Sequence, residues 1–251
     1  MNKGVILQDR DFLVLKTVYE GTVSSFEELK RKHFSTTNLQ TASNRLCRLV
    51  NAGFLRGYRV GIIMYQGFIK QVNRVYTITP LGIEMLALKF ESVIIRRDEI
   101  RLQPFSLVHD LLLNNVSEQL KNGNPGCALV NSKLLKMFPS RTEQIPDLIL
   151  KGENGLGDTA IELELTDKSE KRYREIITNY RLSTRYQKVL FIFQTDQIRE
   201  KIVRVITGYS SHYQIQEASF VKFKFLKLSE LIPQTTTKKD QPQTLDAQAS
   251  A

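Results

Sequence analysis

The chain has 251 residues, 41% of them hydrophobic and 25% charged, a balance that excludes a fibrous or wholly disordered protein and allows one large domain or two compact ones. Thirty-six Lys and Arg against 26 Asp and Glu give a net charge of +10. Residues 1–103 hold 16 basic and 9 acidic side chains, against 20 and 17 in residues 104–251, so the first part is the one suited to a polyanion.

In chain order, residues 9–20 read as a helix with Phe12, Leu13, Leu15 and Val18 on one side, and 24–33 as a second helix behind a Ser-Ser cap. A third helix, roughly 37–52, carries Leu39, Ala42, Leu46, Leu49 and Val50 as a buried stripe and stops at Gly53. Two extended runs, 54–60 and 72–79, joined by a Gly-containing loop, suggest a two-stranded wing, and 80–90 starts on Pro as a closing helix. Three helices and a hairpin make a winged helix-turn-helix, expected over residues 1–92.

A charged connector is expected at 93–104. Beyond it the pattern mixes adjacent strands with strand-helix alternation: helix 106–121, strands near 127–131, 145–150 and 158–166, helix 169–182, strand 188–194, helix 196–207 and strand 219–226. The fold class expected is α+β or α/β, with a mixed sheet flanked by helices over 105–231. Residues 232–251, rich in Gln, Thr and Lys, read as a disordered tail.

No stretch approaches eighteen apolar residues, and the opening MNKGVILQDRD has no signal-peptide pattern, so a cytoplasmic location without membrane insertion is expected. Cys47 and Cys127 form no CxxC, and His33, His109 and His212 form no HxH or HExxH, which argues against disulfides and zinc chemistry.

On the third helix, Gln40, Asn44, Arg48 and Asn51 lie opposite the apolar stripe, where amides suit adenine and guanidinium suits guanine. Arg45 and Thr41 lie on the flank where phosphates would be met, with Lys30, Arg31 and Lys32 closing the preceding helix. The wing adds Arg56, Arg59, Lys70 and Arg74, interleaved with Tyr58 and Tyr65. The competing reading is a merely solvated polar face.

Farther along, Pro146-Asp147 opens a short apolar strand, and a Gly-rich turn leads into Ile161-Glu162-Leu163-Glu164-Leu165. Alternate side chains of a strand share a face, so Glu162 and Glu164 point together, with Asp147 beside them across the hairpin. Clustered carboxylates repel unless a cation neutralises them, and an oxygen-only set favours Mg2+ or Mn2+. The competing reading is an exposed strand face alternating apolar and acidic residues.

The order PD, hairpin, (D/E)x(K/E) resembles the active site of restriction-endonuclease-like nucleases. The fuller string IELELTDKSEKRYREIITNY, with RLCRLVNAGFL, YTITPLG and the His109-Asp110 and Asn114 positions, resembles the MobC-type replication-relaxation family of plasmid mobilisation relaxases. The resemblance implies a winged helix ahead of a PD-(D/E)xK domain that nicks one strand at a plasmid transfer origin, with a coupling ATPase and accessory mobilisation proteins as partners. It makes Asp147, Glu162 and Glu164 the metal ligands and Lys168 the phosphate-facing base or stabiliser. The final Lys of the usual motif is Glu164 here, so its role passes to Lys168, to Lys171 or to a second metal. His109, Tyr173 and Tyr180 are accessory candidates. The two tyrosines stand seven apart, as core packing would also place them, and metal-bound water is the alternative nucleophile. Other readings are a non-catalytic winged-helix regulator of replication or transcription and a restriction-type nuclease.

Overall fold

The computed structural model describes residues 5–65, 68–94, 102–135, 144–152, 157–213 and 221–232, with the backbone alone for 62–65, 68–71 and 209–213. Part of the connector, the middle of the 151–158 turn and residues 233–251 lie outside the described residues, so the expected tail does as well.

The first part runs α1 (Asp9–Gly21), β1 (Ser24–Ser25), α2 (Phe26–His33), α3 (Leu39–Asn51), β2 (Leu55–Arg59), β3 (Ile62–Tyr65), β4 (Phe68–Gln71), β5 (Arg74–Ile78) and α4 (Pro80–Ala87). Three helices begin on side chains that accept a first-turn amide: Ser25 for α2, Asn38 for α3 and Thr79 for α4. β5 lies between β1 and β2, antiparallel to both, and Leu55 pairs with Ile78. Where a loop was expected between the two wing strands, β3 and β4 form a further hairpin. Val60 N–H donates to Asn73 O (3.2 Å) and Val72 N–H to Gly61 O (3.1 Å), which joins it to the sheet. Val14, Leu15, Val18, Leu46, Leu49 and Ile83 form the centre of the core. Leu13 and Leu39, expected on the buried stripes, are exposed. The start of α4 packs so closely on the turn between α3 and β2 that a Cβ at Gly82 would stand 2.2 Å from the Phe54 carbonyl oxygen.

The second part runs α5 (Leu107–Gly123), β6 (Leu129–Asn131), β7 (Leu148–Leu150), β8 (Asp158–Glu164), α6 (Glu170–Leu182), β9 (Tyr186–Phe193), α7 (Asp196–Tyr213), β10 (Phe223–Lys227) and a one-turn helix, α8 (Leu228–Leu231), that was not expected. Its sheet has the order β10-β9-β8-β7-β6. β10, β9 and β8 run parallel, while β7 is antiparallel to both β8 and β6. The chain is thus a mixed α+β fold. Ala160, Val189 and Phe191 meet Ile177 and Tyr180 of α6 and Ile202 of α7 on one face. Ile161, Leu163 and Ile192 meet Leu113 and Val116 of α5 on the other.

α5 also joins the two parts. Leu107 and Leu111 pack with Val23, Val72 and Val75. The Asn114 side-chain amide donates to Val23 O at 2.6 Å, so close to α1 that a Cβ at Gly21 would meet that amide at 2.7 Å. Arg31 of α2 forms a two-pronged pair with Glu118 of α5, 2.7 and 2.6 Å. Among the described residues no helix is long and apolar enough to cross a membrane.

Candidate active site and nucleic-acid face

The strand period that buries Ile161, Leu163 and Leu165 beneath α5 turns Glu162 and Glu164 to the opposite face, beneath α6 and α7. That face is covered rather than half-solvated: Glu162 is 5% and Glu164 1% exposed, which removes the exposed-face reading of the alternation. Asp147 stands one residue before β7. Its N–H donates to Ile161 O at 3.0 Å, and Leu163 N–H donates to its Oδ2 at 2.8 Å, so the β7–β8 seam fixes this carboxylate beside the glutamates.

Each acid has a different set of donors. His109 Nε2 of α5 stands 3.3 Å from Asp147 Oδ2, and its Nδ1 3.5 Å from Asp110 Oδ1. Asp110 is gripped by Lys133 Nζ, 2.6 Å from both oxygens, and by Ser106 Oγ at 3.0 Å. Glu162 Oε1 accepts from Tyr180 OH (2.5 Å) and from Gln144 Nε2 (3.1 Å). Glu164 Oε1 accepts from Lys168 Nζ at 2.7 Å, while its Oε2 is buried with no hydrogen-bond partner among the described residues.

The electrostatics follow. Burial, reinforced by the charges of Asp147 and Glu164, pushes Glu162 up to about 8 against the pull of Tyr180 and Lys168. Burial also raises Glu164, with Lys168 opposing it. Burial would raise Asp147 too, but His109 and the Leu163 amide hold it below its ordinary value. Burial disfavours a charged imidazole at His109, yet Asp110 and Asp147 override that and carry it up to about 10. The acids therefore sense one another.

Among the described residues, no group of three or more His, Cys, Asp or Glu side chains is arranged ready to hold a metal ion. Asp147, Glu162 and Glu164 are nonetheless the oxygen donors that a hard divalent cation would engage. The orphaned Glu164 Oε2 is the kind of buried atom that such a cation completes.

Lys168, rather than Lys171, meets the carboxylates: its ammonium contacts Glu164, whereas Lys171 lies on the exposed face of α6. Tyr173 and Tyr180, the accessory tyrosines, do not face solvent. Both are fully buried, and burial first of all pushes both hydroxyls above their ordinary range. Tyr173 OH stands 3.4 Å from Lys168 N and 3.5 Å from Thr166 O, and Tyr180 supports Glu162.

On α3, Gln40, Thr41, Asn44, Arg48 and Asn51 form the exposed face, and Gln40 Nε2 donates to Asn44 Oδ1 at 2.7 Å. Arg45 does not belong to it. It turns inward, where its Nε donates to Asp11 Oδ1 at 2.8 Å and its Nη2 to Ile6 O at 2.9 Å. On the strands expected to form a wing, Arg56 and Arg59 are exposed, whereas Arg74 bends back to Cys47 Sγ at 3.6 Å. The side chains of Lys70 and Tyr65 lie outside the described residues. Lys30 donates to Ser35 O at 3.4 Å, and Arg31 and Lys32 are drawn to Glu118. Each of the three thus has a partner within the protein, while Arg31 and Lys32 keep exposed surface.

Sequence reasoning did not single out Asp11, Lys133, Gln144 or Glu118. An acid on the buried side of α1 was a legible sign of a buried cation for Asp11; nothing local marked the other three. Comparisons with protein-family models, with curated proteins and with solved structures find no match for this chain.

Proposed function

We propose that the protein is a metal-dependent, site- and strand-specific DNA endonuclease of the plasmid mobilisation relaxase kind, acting at a transfer origin. The order α1-β1-α2-α3-β2-β5-α4, with a hairpin following the third helix, supports a winged helix as the reading domain. The mixed sheet with Asp147 on one strand margin and Glu162 and Glu164 on the next supports a restriction-endonuclease-like cutting domain.

The observation that carries the proposal is Glu164: a buried carboxylate beside two others, with Lys168 on one oxygen and, among the described residues, no hydrogen-bond partner on the second. Asp147, Glu162 and Glu164 would hold Mg2+ or Mn2+, which when bound polarises the scissile phosphate and activates an attacking hydroxyl or water. Lys168, 35% exposed at its side chain, balances the phosphate charge from the solvent side. With Tyr173 and Tyr180 buried, the attack falls to water. The exposed Gln40, Asn44, Arg48 and Asn51 would select the sequence.

The test is supercoiled DNA bearing the cognate origin, incubated with Mg2+ or Mn2+. Wild type is expected to give nicked circles without attached peptide, and Asp147→Ala and Glu164→Ala to leave the DNA supercoiled. Equal nicking by these variants sinks the assignment.

One observation favours a second reading. The three carboxylates are hydrogen-bonded to protein donors and, among the described residues, form no ready metal group, as in a binding module whose nuclease fold has lost its chemistry. Such a module binds the origin tightly, shows no metal-dependent thermal shift and cuts nothing.

A further inference from the structure

We infer that Tyr180 is a positioning residue that holds one oxygen of Glu162, so that this glutamate can offer a metal only its other oxygen. The inference rests on the metal-dependent reading above and sharpens it.

The geometry is consistent across the three acids. Asp147 uses Oδ2 for Leu163 N–H and His109. Glu164 uses Oε1 for Lys168. Glu162 uses Oε1 for two donors at once, Tyr180 OH at 2.5 Å and Gln144 Nε2 at 3.1 Å. Among the described residues, every hydrogen bond or ion pair to these carboxylates falls on one oxygen of each. Asp147 Oδ1, Glu162 Oε2 and Glu164 Oε2 remain available.

Three carboxylates that each present one oxygen suit a small ion that demands octahedral geometry and keeps several waters. They suit poorly a larger ion that gathers more oxygens and readily takes a carboxylate through both. Tyr180 is built to hold this arrangement. Its ring is fully buried and packs edge-on against Tyr186, with centroids 5.8 Å apart. Its carbonyl accepts from Lys222 Nζ at 2.5 Å, which anchors the end of α6 from which the hydroxyl reaches Glu162. A hydroxyl so fixed cannot follow the carboxylate if it rotates toward two-oxygen ligation.

The experiment is calorimetric titration of the full, metal-stripped protein with Mn2+ and, separately, with Ca2+. Wild type is expected to prefer Mn2+. Tyr180→Phe, which keeps the ring and removes the donor, is expected to lose about 10- to 100-fold in Mn2+ affinity and to narrow the Mn2+/Ca2+ ratio. A purely structural tyrosine would shift the melting temperature and leave that ratio alone. A Tyr180→Phe protein that keeps the wild-type Mn2+ affinity and ratio, while Glu164→Gln loses Mn2+, overturns the inference and leaves the metal site standing. A wild type that takes up no Mn2+ overturns both. Should Tyr180→Phe fail to fold, Gln144→Leu removes the other donor on the same oxygen, and an unchanged ratio there is equally decisive against the inference.

Discussion

Arg45 of α3 and Asp11 of α1 form a buried ion pair, with Arg45 Nε donating to Asp11 Oδ1 at 2.8 Å and Arg45 Nη2 donating to Asp11 Oδ2. Asp11 also accepts from Gln8 N–H at 2.7 Å, so both of its oxygens are satisfied. The helix that carries the exposed amides is thereby locked in rotation against the first helix. Removing one partner strands a buried charge. Asp11→Ala is expected to cost about 3–5 kcal/mol in chemical denaturation, and Asp11→Leu with Arg45→Met together to recover most of that loss. Equal stability of Asp11→Ala and wild type refutes the structural role of the pair.

The exposed α3 face predicts the reverse pattern. Asn44→Ala or Arg48→Ala should weaken binding to the cognate DNA by about 1–3 kcal/mol in fluorescence anisotropy. Folding stability should stay within about 0.5 kcal/mol, because both side chains are solvent-exposed. Unchanged affinity in both variants removes α3 as the reading element.

Glu118 pairs with Arg31 and Lys32, so on the proposed DNA-binding reading it would compete with phosphates for them. Glu118→Gln should cost less than about 1 kcal/mol of stability, since Arg31 is largely exposed. It should also tighten non-specific DNA binding, and each cation released to a phosphate should steepen the salt dependence by about 0.9 in log–log slope. Binding at two salt concentrations checks this, and a slope identical to wild type rules it out.

The titrations give a pH signature for the metal-free protein. Glu162 stands at about 8 in the folded chain against an ordinary 4.5. Its stabilisation is complete below 4.5 and drains away as pH rises toward 8, because the unfolded chain releases the proton first. His109, raised from 6.5 to about 10, loses its contribution over that higher interval in the same direction. The melting temperature in chelator should therefore fall as pH climbs, and Glu162→Gln should flatten the part below pH 8. A profile in Glu162→Gln that matches wild type contradicts the placement of that proton.

Much of the candidate site could be read from residue spacing, for a physical reason. A strand has a period of two, so Glu162 and Glu164 had to share a side, and Pro146-Asp147 had to neighbour them if the turn closed a hairpin. What covers that side is a matter of long-range packing. α6 arrives six residues after Glu164, yet only tertiary contacts reveal that Tyr180 ends on Glu162 instead of facing a phosphate. Arg45 shows the same limit from the other direction. It flanks the apolar stripe of α3, where a cation can turn outward or inward, and its deciding partner lies 34 residues earlier in the chain. The β3–β4 hairpin escaped notice because its strands follow directly on β2 and precede β5, with no intervening change of pattern.

α5 carries His109, in contact with Asp147, and Glu118, in contact with Arg31, on one uninterrupted helix. The two positions are separated by about 14 Å along a rod that bends little at this length. Asn114, seated against Gly21 between them, leaves that rod no slack against the first helix. If the first part grips DNA and the second cuts it, as proposed, one uninterrupted helix ties the two, and the spacing between grip and cut is set by the length of a single element.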